Sequence, residues 1–223
     1  MHIEPGLISP EKMLLAYAAA AGAGAFTLKL ALDVIRERSP LSLLARSVAT
    51  TASVLCFFQV LPHHPVGVSE VHLILGSTLL LVFGAAPAAI GLALGLLIQG
   101  FFFAPFDLPQ YFANVTTLLV PLFAIKLVAD RIIPARTPYV DLNYRQALAL
   151  SATYQGGVVL WVGFWALYGR GFGADNLASV GMFGAAYMLV VVLEPLIDLA
   201  VLAMAKLARG LGNTGLVTPR LYS

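Results

Sequence analysis

The chain has 223 residues, of which 60% are hydrophobic and only 11% charged, with a formal net charge of +2. Soluble domains carry about 25% charged residues, so this composition excludes an ordinary soluble domain and describes an integral membrane protein. The single cysteine, Cys56, excludes an internal disulfide and reads as a small apolar residue in a helix.

A membrane-crossing helix needs about 20 mostly apolar residues. In chain order, helices are expected near 12–35, 43–61, 70–84, 86–104, 110–133, 145–168 and 177–207. The first ten residues hold two prolines and no basic residue, unlike a secretory leader. The uncharged stretch 71–106 is too long for one crossing, and Gly84-Ala85-Ala86-Pro87 divides it into two short ones. The expected fold is therefore an all-α bundle of about seven transmembrane helices, with one substrate-binding domain over 1–223. Within it, 1–11 is an N-terminal segment, 12–207 the bundle and 208–223 a tail. In the first span Lys29 and Asp33 are one turn apart and can pair. The same span carries the small-residue run 18–25, in which Ala18, Ala21, Gly22 and Ala25 allow close approach of another helix.

Orientation follows from the excess of lysine and arginine on the cytoplasmic side. With the N-terminus outside, Arg36, Arg38, Arg46, Lys126, Arg131, Arg136, Arg145, Lys206, Arg209 and Arg220 fall inside, and only Lys12 and Arg170 fall outside. The C-terminus is then cytoplasmic. The outer surface holds 1–12, 62–69, 104–110 and 169–176, and all four histidines, His2, His63, His64 and His72, lie on it or at its edge.

Imidazole suits divalent transition metals. His2 reads two ways. If Met1 carries a free amine, that amine, the His2 amide nitrogen and the His2 imidazole close fused chelate rings on one ion, a planar nitrogen set that suits Ni(II) or Cu(II). Alternatively, His2 is a chance residue in a frayed terminus. His72, expected at the start of the third span, is the best fourth ligand, or else an interfacial histidine satisfied by water. Glu70 can orient an imidazole or complement a helix dipole. His63 and His64 follow Pro62 at the mouth, where they hand metal inward or are simply solvated. Gln99, Asp107 and Asn114 flank the next outer loop, where Asn114 serves the site or caps a helix. Glu194 and Asp198, one turn apart in the last span, read as a proton relay or as packing groups.

The chain lacks GxxxxGK[ST], HExxH, GxSxG and Cys-x-x-Cys, so neither ATP hydrolysis nor these enzyme chemistries are expected, nor is a nucleic-acid partner.

Taken together, Met1-His2-Ile3-Glu4-Pro5-Gly6 at the start, Ser69-Glu70-Val71-His72-Leu73 opening a short apolar span, and Gln99 followed by Ala113-Asn114 resemble the cobalt/nickel membrane substrate-capture (S) component of energy-coupling-factor ABC transporters. The resemblance covers about 1–130. It implies an N-terminal segment tucked into the core, Co(II) or Ni(II) held by Met1, His2 and His72, and a membrane coupling (T) protein and cytoplasmic ATPases as partners in the cell membrane. The chain departs from the family in having Pro5 before Gly6, with Glu4 shifted by one. It also carries Ala104-Pro105-Phe106-Asp107-Leu108-Pro109 in place of a glycine-rich outer loop. Two other readings stand beside it: a stand-alone proton-coupled metal carrier using Glu194 and Asp198, and a scaffold whose histidines are incidental.

Overall fold

The computed structural model describes residues 3–135 and 137–211. Met1 and His2, the inner cation Arg136, and 212–223 with Arg220 lie outside the described residues.

Among the described residues, six helices are long and apolar enough to cross a membrane. These are α1 (Met13–Glu37), α2 (Pro40–Val60), α4 (Ala85–Phe102), α5 (Tyr111–Ile132), α6 (Tyr144–Arg170) and α7 (Ala174–Leu211). Between α2 and α4 the chain forms an antiparallel hairpin, β1 (His64–Val66) and β2 (Ser69–Val71), a non-helical strap over 72–75, and a short helix α3 (Gly76–Phe83). The expected helix over 70–84 is thus corrected. Its first half is non-helical, and His72 stands in the strap rather than at a helix start. Eight helical residues span only about 12 Å, too few to cross alone, so α3 with the strap before it stands where one long helix was expected.

Long-range contacts fix the two ends of that stretch. Gly67 in the hairpin approaches the Ser179 carbonyl near the start of α7 so closely that a Cβ would lie 2.2 Å from its oxygen. At the far end of α3, the Phe83 carbonyl accepts from Arg46 Nη1 at 2.8 Å, in the first half of α2. The hairpin end also gathers Lys12, whose Nζ donates to the Tyr168 and Gly169 carbonyls at 2.9 Å. The opposite end holds the Arg209–Asp141 ion pair and the bond from Lys206 Nζ to the Leu142 carbonyl. The loops expected to share a side do share an end.

Non-helical backbone is tolerated at membrane depth only where protein buries it. His72, Ile74 and Leu75 are all buried. The strap's last amides are satisfied by α7: Ile74 N–H donates to Glu194 Oε2 at 2.7 Å, and Leu75 N–H to Glu194 Oε1 at 2.8 Å. One turn on, Asp198 accepts from the Ser77 and Thr78 hydroxyls. The two carboxylates thus sit at the N-terminus of α3, where a helix favours negative charge. Leu75 adopts φ +57°, a left-handed conformation that costs a non-glycine residue about 1–3 kcal/mol and persists where surroundings hold it.

The helices pack through small residues. A Cβ on Gly91 would lie 2.5 Å from the Thr50 side chain, and one on Gly95 2.5 Å from that of Val54, so these glycines one turn apart let α4 meet α2 closely. Outward-facing residues such as Leu14, Leu41, Leu160 and Leu189 are more than two-thirds exposed, as expected of a surface solvated by lipid. Asp33 pairs with Arg36 at 4.0 Å, so the expected Lys29 partnership is replaced by one nearer the helix end.

Candidate metal-capture site

The N-terminal segment enters the bundle at the hairpin end and is buried there. Ile3 and Leu7 are each 1% exposed and Ile8 4%. Three apolar residues in one short segment account for the burial. Fully burying such side chains is worth about 1.5–3 kcal/mol each. The backbone of the segment is tied at each step. Ile3 forms an antiparallel bridge with Ser69, and its N–H donates to Asn114 Oδ1 at 2.8 Å. Glu4 N–H donates to the Val68 carbonyl at 3.0 Å, and the Glu4 carbonyl accepts from Gln110 Nε2 at 2.9 Å. The Glu4 carboxylate meets Arg170 at 3.2 Å. Further along, Leu7 passes so close to Gly169 that a Cβ there would lie 2.2 Å from the Leu7 carbonyl oxygen.

Asn114, on the first turn of α5, is therefore no helix cap. It is buried, and its side chain accepts from the residue that follows His2. Gln110, which the sequence did not single out, does the same work one residue later. It lies in the 3-10 turn Pro105–Gln110 between α4 and α5. That turn occupies the place of the glycine-rich loop, and Asp107 is buried within it. Gly100 in α4 makes room for it, since a Cβ there would meet Leu108 at 2.7 Å.

His72 is 3% exposed, and its ring meets Phe58 of α2 edge to face, with centroids 4.7 Å apart. It lies three residues beyond Ser69, the partner of Ile3. His63 and His64 are exposed on the hairpin's outer strand, where His64 pairs with Val71. His63 Nδ1 lies 3.4 Å from the Leu61 carbonyl. The cluster is thus divided: one buried imidazole beside the N-terminal segment and two solvated ones. Gln99, near the end of α4, is also buried. Among the described residues no three His, Cys, Asp or Glu side chains are grouped so as to hold a metal ion. Met1 and His2, expected as ligands, lie outside the described residues.

A cleft opens between the N-terminal segment, the hairpin and the 3-10 turn, lined among others by Ile3, Glu4, Ser69, Glu70, Phe106 and Asp107. With Glu4 paired to Arg170, Glu70 and Asp107 are the carboxylates of this cleft that can draw cations toward it. Glu70, half-buried on β2, is two residues from His72 and faces this cleft. Ala18, Ala21, Gly22 and Ala25 are exposed on α1, and no atom lies within 4 Å of where a Cβ on Gly22 would stand.

Comparison with known proteins shows the family and the fold. The family model described as cobalt uptake substrate-specific transmembrane region matches residues 2–210. A crystal structure described as that of a transition metal transporter is similar in fold, with a TM-score of 0.67 at 17% identity, covering 100% of both chains. A truncated transition metal transporter gives a TM-score of 0.61 at 18% identity, covering 91% of this chain and 97% of that one. No curated protein sequence matches the chain.

Proposed function

The chain belongs to the family of cobalt uptake substrate-specific transmembrane regions, and from that membership we propose that it captures Co(II) or Ni(II) at its hairpin end through Met1, His2 and His72. It is a multi-pass membrane component of transition-metal uptake. In this reading it is the substrate-specific part of an ATP-driven energy-coupling-factor transporter in the cytoplasmic membrane. A membrane coupling protein and cytoplasmic ATPases complete that transporter. The N-terminus faces outward and the C-terminus the cytoplasm, as the lysine and arginine bias favours. The whole chain is one substrate-binding domain, with 1–11 as its chelating segment, 12–207 as its bundle and 208–223 as its tail.

The observation that carries the reading is the docking of Ile3 between Ser69 and Asn114. Pairing with Ser69 is antiparallel, so the hairpin strand runs from Ser69 toward His72 as the N-terminal segment runs back from Ile3 toward its start. The chelate of Met1 and His2 supplies three nitrogens, and the His72 imidazole completes a square that suits Ni(II). Glu70 and Asp107 serve as second-shell or mouth groups, and His63 and His64 as solvated residues at the entrance. The exposed small-residue face of α1 at Ala18, Ala21, Gly22 and Ala25 is where the coupling protein docks.

The test is a chain with one residue added before Met1. It should lose Ni(II) and Co(II) affinity in calorimetric titration, and unchanged affinity would sink the chelate. The stand-alone proton-coupled reading is disfavoured by the engagement of Glu194 and Asp198 as acceptors at α3. Metal uptake by the chain alone in vesicles, without ATPases, would restore it.

A further inference from the structure

Glu194 is 0% exposed in the middle of α7, and metal capture as set out above gives it no task. Its two carboxylate oxygens accept from the Ile74 and Leu75 amides at 2.7 and 2.8 Å. Those amides belong to the strap that carries His72, and Ile74 is two residues from it. Gln155 of α6 donates to the same carboxylate, and Tyr187 O–H donates to Gln155 Oε1 at 2.8 Å, so the acceptor is itself held from two helices. The hairpin ladder ends at Val71 and α3 begins at Gly76, with the Leu75 carbonyl accepting from Leu79 N–H at 2.9 Å. The left-handed Leu75 lies under the same carboxylate. On the ring side, Phe58 is the aromatic contact of the imidazole.

We propose that Glu194 is a positioning residue for metal capture: by clamping the Ile74 and Leu75 amides it fixes the strap and thereby aims the His72 imidazole. This rests on the reading of His72 as a ligand. A square nitrogen site tolerates little displacement of its fourth donor, and outer residues that orient a ligand typically contribute about 10–100-fold to metal affinity. Asp198 supplies the internal contrast. It holds the Ser77 and Thr78 hydroxyls, beyond the left-handed residue, and does not touch the strap amides.

The experiment uses the full chain with its native N-terminus in detergent, titrated with Ni(II) alone and followed by the d–d absorption of the bound ion. Glu194→Gln replaces one acceptor oxygen with a donor. It should weaken Ni(II) binding by about 10-fold and shift the absorption band, whereas Asp198→Asn should leave the band in place. In a His72→Ala background, Glu194→Gln should cause no further loss, because the ligand it positions is gone. An equal loss in both backgrounds would reveal general loosening and overturn the proposal, as would wild-type affinity and spectrum in Glu194→Gln, or a band shift in Asp198→Asn as large as its own. If His72→Ala alone binds with wild-type affinity and spectrum, the ligand assignment itself fails, a result separable from all of these. Should Glu194→Gln not fold, Tyr187→Phe, which removes the hydroxyl orienting Gln155, should shift the band in the same direction by less. No shift there would count against the clamp.

Discussion

Replacing Asn114 by alanine removes the side chain that accepts from Ile3 N–H at 2.8 Å, in a place where Ile3 is 1% exposed. A buried donor left without its acceptor costs about 1–3 kcal/mol. At 1.4 kcal/mol per tenfold, that bounds the loss of metal affinity between about 5- and 150-fold. The upper figure would require the N-terminal segment to undock entirely. It should not: burial of Ile3, Leu7 and Ile8, at about 1.5–3 kcal/mol each, exceeds the lost bond, and Glu4 stays tied to Val68 and Gln110. The change is therefore confined to fraying at Ile3 and before it, which lowers the fraction of molecules with both ligand residues in place and raises the apparent Kd by its inverse. We expect a loss of about 10-fold in Ni(II) affinity by calorimetry, with a melting temperature close to that of the unaltered chain. Gln110→Ala, which frees only an acceptor one residue further on, should lose less. A Kd within about twofold of wild type for Asn114→Ala would refute the argument that this bond holds the terminus in register.

His72→Ala should weaken Ni(II) binding by at least about 10-fold, while the double variant His63→Ala, His64→Ala should bind as wild type; the reverse order of affinities would move the site to the hairpin surface. Gly95→Leu places a side chain where a Cβ already lies 2.5 Å from Val54, and overpacking of about 1–3 kcal/mol should lower thermal stability in detergent. Gly22→Leu meets nothing within 4 Å, so it should leave the isolated chain's melting unchanged yet reduce recovery of the coupling protein in co-purification. Normal recovery would place the docking face elsewhere.

The long spans were legible because their hydropathy and breakers are local. Gly84 ends α3 with φ +92°, as the Gly-Ala-Ala-Pro break suggests. The strap was not legible. A buried extended stretch and a buried helix are both continuously apolar, so 70–84 reads as helix from its composition. What keeps 69–75 from forming helix lies far away: Ile3 opposite Ser69, and Glu194 on the Ile74 and Leu75 amides, about 120 residues along the chain. Backbone donors carry no residue signature, so neither Glu194 nor Asn114 announces its partner, although both stand out as polar groups in apolar helices. One signal was present and not used. Gly91 and Gly95 form a Gly-x-x-x-Gly pair at the α2–α4 contact, whereas the more conspicuous small-residue run in α1 faces outward.

The departure from helix at 69–75 bears directly on how the site can exist. A helix beginning at 70 would leave no extended edge after Ser69 for an incoming strand to follow. With β2 extended, Ser69 can pair with Ile3, and the N-terminal segment joins the bundle by its backbone rather than by side chains alone. Glu70 then faces the cleft from β2, while His72, just beyond the strand, is buried against Phe58. The crossing must then resume as helix to reach the opposite end. The short α3 this creates begins among buried residues, where unpaired backbone groups would be costly. Glu194 and Asp198 at its start and Arg46 on the Phe83 carbonyl at its finish match the sign of the helix dipole at each end. The buried acids of α7 and Arg46 of α2 thereby answer one requirement: a helix broken by a strap needs partners for its free backbone groups at each end.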